Sequence, residues 1–89
     1  MSKATLYPAG GNAKDIMPAN GTDFQLDELQ RLVGGQIEIH RINDKLYICD
    51  EEGALKGKDM NLLITDKIGE KLNGPAYGDW IICDSDMVK

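Results

Sequence analysis

Few residues in this 89-residue chain have side chains suited to chemistry: one histidine, two cysteines and a short run of acids. His40 lies in "QIEIHRI", Cys49 in "LYICD" and Cys83 in "WIICD". A nucleophilic triad needs a base, and His40 is the single imidazole. Cys49 and His40 could pair across a hairpin, but apolar neighbours raise a thiol's pKa and make it inert. A zinc site would need clustered cysteines and histidines, and here the two cysteines are far apart in sequence. Cys49 and Cys83 are therefore expected to be core thiols. If their strands are neighbours, a disulfide between them is geometrically conceivable. His40, between Glu38 and Ile42, is expected on the outer face of its strand.

The acids raise two further possibilities, and spacing removes both. "GALKGKD" suggests a phosphate loop, but only three residues separate Gly53 from Gly57, and Asp59 stands where Ser or Thr is required. "DEEG" suggests a calcium loop, yet Gly53 is the fourth residue from Asp50, where that loop needs its glycine sixth. Solvated turn acids are the plainer reading of Asp50, Glu51 and Glu52. The candidate binding residues are Glu51, Glu52, Asn61 and His40. The sequence assigns no catalytic residue, no metal ligand and no cofactor.

These residues must be held by regular elements. "KATLYP" gives a first strand, and "AKDIMPANG" a candidate short return strand that Pro18 would confine to an edge or end. "GTDFQLDELQRLVGG" is the clearest helix. Thr22 is its predicted N-cap, with Gln25 completing a capping box and Asp23 and Asp27 in the first turn. Leu26, Leu29, Leu32 and Val33 form its apolar stripe, and Gly34-Gly35 end it. "QIEIHRI" and "KLYICD" alternate on either side of Asn43-Asp44, a plausible tight turn, and so predict a hairpin. Met60, Ile64, Ile68 and Leu72 recur every four residues, which predicts a second helix over 59–72 capped by Asp59 or Asn61. "WIICD" is a last buried strand, and the tail from Ser85 is expected to fray. The fold class is α+β, in the order β(β)αββαβ: a mostly antiparallel sheet with both helices on one face.

Composition limits the function classes. Fifteen acids against ten bases give a net charge of −5, which argues against a binder of nucleic-acid phosphates. Aromatic residues are 6% of the chain, so Leu, Ile and Val must build the core. A single domain of this size buries roughly 60–65% of its unfolded surface. No apolar run has the length of a leader h-region or of a membrane span, so a cytoplasmic protein with free thiols is expected.

"LQRLVGGQIE", the "EEGAL" turn, Asn61 shortly after the "KG" step, and Gly78-Asp79 before the last apolar strand together carry a resemblance. The chain resembles the domain of unknown function 3846 family over most of Phe24 to Cys83, and departs from it at Asp50 and Ala54. The resemblance implies a small α+β domain, frequently encoded on phages, plasmids or integrated elements, without an established activity. The leading expectation is a non-enzymatic protein-interaction module of bacterial phage or mobile-element origin, with a host protein or its own copy as partner. A binder that sequesters a small nucleotide signal is the alternative. A metal-dependent enzyme using Glu51 and Glu52 ranks last.

Overall fold

The computed structural model describes residues 3–88. The first strand, β1 (Ala4–Tyr7), turns into the three-residue β2 (Lys14–Ile16). Helix α1 (Leu26–Val33) follows, then the hairpin of β3 (Ile37–Ile42) and β4 (Lys45–Asp50), helix α2 (Leu62–Leu72) and β5 (Trp80–Asp84). The five strands form one sheet in the order β2-β1-β5-β4-β3, with every neighbouring pair antiparallel. This is the predicted α+β order. It makes β4 and β5 interior strands and leaves β3 as the long edge.

The helices lie on opposite faces of the sheet, not on one as the sequence analysis expected. Leu29 and Val33 of α1 pack with Ala4, Leu6, Leu46, Ile48, Ile81 and Cys83. Ile64 and Ile68 of α2 pack with Cys49, Trp80 and Ala76. Side chains alternate across a strand, so Leu46 and Ile48 belong to one layer and Tyr47 and Cys49 to the other. "LYIC" and "WIIC" are continuous apolar runs because both of their faces are covered.

The same alternation rules out a disulfide. Cys83 sits opposite Leu46 and faces α1, whereas Cys49 faces α2. The strands are neighbours, but the thiols lie on opposite sides of the sheet; both are buried and free.

Helix α1 starts later than predicted. Gln25 is its N-cap, and Glu28 accepts from the Gln25 N–H at 3.4 Å. Thr22 is used in the preceding turn, where Asn20 Oδ1 accepts from the N–H groups of both Thr22 and Asp23. This local side-chain bond competes with helix initiation. As a result Leu26 is the first helical residue and stands exposed instead of joining the stripe.

The tail is also not loose. Residues Ser85–Met87 form a 3-10 turn, Met87 is buried, and the Phe24 N–H donates to the Met87 carbonyl at 2.7 Å. Phe24 and Val88 form an isolated parallel bridge. Met87 therefore contributes to the α1 core layer, while Lys89 lies outside the described residues.

Candidate functional site

The β3–β4 hairpin carries the chemistry. Asn43 and Asp44 have φ of 50° and 66°, the paired left-handed geometry that a two-residue hairpin turn with the right twist needs. This turn sets the register. Ile42 faces Lys45, and the ladder runs back to His40 opposite Tyr47 and Glu38 opposite Cys49. Glu38, His40 and Cys49 therefore share the α2 face at the sheet edge.

The ligand atoms of these three side chains lie within 4.8 Å of one another. His40 Nε2 is 3.0 Å from Glu38 Oε1. The His40 ring stacks on Trp80 with centroids 5.7 Å apart and planes 23° apart. Trp80 is itself fixed, because its Nε1–H donates to the Tyr77 carbonyl at 3.0 Å. His40 is thus a half-buried, oriented imidazole and not simply an outer-face residue. The Cys49 thiol is pushed up to about 12, chiefly by burial, with Glu38 and Asp50 adding and Lys58 opposing. Burial likewise raises Cys83, to about 11. Neither thiol supplies an unassisted nucleophile near neutral pH. Beside the triad a cleft of about 200 Å³ opens to solvent, lined also by Glu51, Leu72 and Tyr77.

The acidic turn past β4 serves mainly as a joint. Asp50 is buried, and its Oδ2 accepts from Lys56 Nζ and Lys58 Nζ, each at 2.8 Å. Burial alone would raise its pKa. The hydrogen bonds from Lys56, Lys58 and the Glu52 N–H outweigh that and hold the carboxyl well below the usual carboxylate range. The same bond raises the Lys56 ammonium above its ordinary value. Both lysines also donate to the end of α1: Lys58 to the Val33 carbonyl at 2.6 Å, and Lys56 to the Gly34 carbonyl at 3.3 Å. Orphan carbonyls of a helix C-terminus thereby meet two cations.

This arrangement accounts for both glycines after α1. Gly34 takes φ of 83°. At Gly35 a Cβ would crowd Lys56 Nζ and stand 2.6 Å from Asp50 Oδ2, so any other residue would push the ion pair out of its present geometry. "GALKGKD" is a clamp joining helix and strand.

Two of the candidate binding residues, Glu51 and Glu52, are exposed in this turn. Their backbone N–H groups donate to the Gln36 carbonyl and to Asp50 Oδ1, each at 2.9 Å. Asn61 is buried and fully used. Its Oδ1 accepts from the Ile64 N–H and caps α2, while its Nδ2 donates to the carbonyls of Tyr7 at 2.7 Å and Gly78 at 2.9 Å. It ties β1, α2 and the loop before β5. Beside the hairpin turn, Lys45 is paired to Asp84.

The structure thus joins His40 to Glu38 and Cys49 and brings Glu51 to the same cleft, but leaves Glu52 and Asn61 outside it. Glu38 was missed from sequence because ligand sets were sought by spacing along the chain. Counting back from the Asn43-Asp44 turn places Glu38 across from Cys49, and that was the available signal.

No curated protein and no solved structure matches the chain. The model of the family described as Domain of unknown function (DUF3846) matches residues 11–87, nearly its whole length, and the chain belongs to that family.

Proposed function

We propose that this domain is a non-enzymatic protein-interaction module that works by adding a strand at the free edge of β3. The supporting observation is the edge itself. β3 is six residues long, ends the sheet, and carries Ile39 with 42% of its surface exposed. An open edge of this length, with an apolar side chain on it, is a template for another extended segment unless it is blocked. Natural edges are blunted by proline, bulges or charged side chains; β3 has no proline and pairs with β4 in unbroken register, and its charges are Glu38 and Arg41.

The occupant is a second copy of this chain. Antiparallel pairing about a two-fold axis centred on Ile39 sets Ile39 against Ile39 and Ile37 against the stem of Arg41. The apolar rows of the two α1 faces then join across the new contact. The cytoplasm is the proposed compartment, since two buried free thiols suit reducing conditions. The bacterial phage or mobile-element setting belongs to the same proposal and rests on the family resemblance.

Light-scattering mass tests the reading. The wild-type chain is expected at twice the chain mass in the micromolar range, and Ile39→Lys at the monomer mass. A wild-type protein that stays monomeric across that range overturns it.

A further inference from the structure

We propose that Glu38, His40 and Cys49 form a binding site for one divalent transition-metal ion of the zinc class, with the adjoining cleft supplying room for a fourth ligand. The donor set is a thiolate, an imidazole and a carboxylate. This mixture suits a borderline-soft ion and is poorly suited to calcium or magnesium, which take oxygen donors.

The geometry is close to that required. Bond lengths of about 2.0–2.3 Å at a tetrahedral ion place donor atoms about 3.3–3.8 Å apart. The three donors here already lie within 4.8 Å, and the Glu38–His40 contact of 3.0 Å has to open slightly. The needed adjustment is a small rotation of the two side chains that are free to make it, with 51% of Glu38 and 31% of His40 exposed to solvent. Cys49, the least mobile donor, is fixed in an interior strand and buried.

The imidazole is oriented by packing. Metal-bound histidines are usually held by a hydrogen bond from their other ring nitrogen; in this domain an aromatic contact does the orienting. Here the Trp80 stack fixes the plane of His40, and the Tyr77 carbonyl fixes Trp80. The cleft beside the donors keeps one side of an ion open to water or to an exogenous ligand. Charge balances as well, because a divalent ion with one thiolate and one carboxylate leaves the buried end of the cleft neutral. Binding forms a metal–sulfur bond and breaks the Cys49 S–H bond, and the proton passes to solvent through the open side.

All three donors come from one chain, two of them from β3 itself, so a metal-binding monomer would defeat strand addition and leave this reading standing. The test uses the full chain under a non-thiol reductant, titrated with cobalt(II). One equivalent is expected to raise a thiolate-to-cobalt charge-transfer band, which zinc then removes. Cys83→Ser is expected to keep the band and Cys49→Ser to lose it. His40→Ala and Glu38→Gln change partly exposed side chains and report on the site even where a cysteine variant folds poorly. His40→Ala is expected to weaken cobalt binding by at least about 100-fold, beyond the loss typical of an outer-shell partner. The proposal is overturned if the wild type develops no charge-transfer band. It is equally overturned if the band survives at full strength in His40→Ala and Glu38→Gln, or follows Cys83 instead of Cys49.

Discussion

Asp50 and Cys49 are adjacent in the chain and equally hidden, each 4% exposed, yet the fold treats them in opposite ways. Asp50 points to the α1 side. Two ammonium groups and a backbone N–H meet its carboxylate, and the same lysines close the end of α1. Cys49 points to the α2 side. It stays a protonated thiol, with a carboxylate and an imidazole facing it and an open cleft beside them. A polar group with its partners in place holds the fold together. Donors that converge beside an open cleft are free to rearrange around a ligand.

The largest effect is expected on the closed side. Asp50→Ala leaves Lys56 and Lys58 without their anion and loosens the α1 terminus. Removing one partner of a buried pair costs about 3–5 kcal/mol when the remaining charge stays buried. Here both lysines reach solvent, so a loss of about 2–3 kcal/mol is expected from urea unfolding.

A pH series sharpens the contrast. The folded pKa of Asp50 lies below its unfolded value of about 3.9. Its contribution is therefore complete above that value and is lost as pH falls through the folded pKa. Asp84 shifts in the same direction, held down by Lys45 and by the Lys3 N–H, and stays in both proteins. Asp50→Asn should flatten the acid limb of the stability profile below about pH 4 without abolishing it. Parallel profiles for the two proteins would mean that the clamp does not depend on charge.

The smallest effect belongs to the open side. His40→Ala removes a half-exposed pair with Glu38 and the Trp80 stack. Without metal, its unfolding free energy should stay within about 1 kcal/mol of the wild type, since a partly exposed side-chain contact contributes little whether or not it is charged. A larger loss would make His40 a structural residue.

Much of this was legible in the residues. Alternation around Asn43-Asp44 marked the hairpin, and recurrence every four residues marked Ile64, Ile68 and Leu72 of α2; of the two caps offered Asn61 serves, so Met60 stands exposed before the helix. Cues were misread in three places. The unbroken "LYIC" and "WIIC" runs signalled a sheet covered on both faces, which requires one helix on each side. Asn20 diverted Thr22 from capping because short polar side chains compete for the same backbone donors. Met87 stands among acids at the chain end, so its burial under Phe24 rested on long-range packing that no local pattern encodes. The Asp50 clamp was illegible for a similar reason: two flexible lysines reach back across a turn to a helix end fixed only in the folded chain.

The most direct test of the contrast between the two sides is the thermal unfolding midpoint of the wild type with and without zinc, under a non-thiol reductant. A ligand at 100 times its Kd adds about 2.7 kcal/mol to stability. For a chain of this size that corresponds to a rise of about 10 °C or more. The account predicts that rise in the wild type and its absence in His40→Ala. An unchanged midpoint in the wild type would contradict it, and would leave Glu38 and His40 as a hydrogen-bonded pair beside a buried thiol.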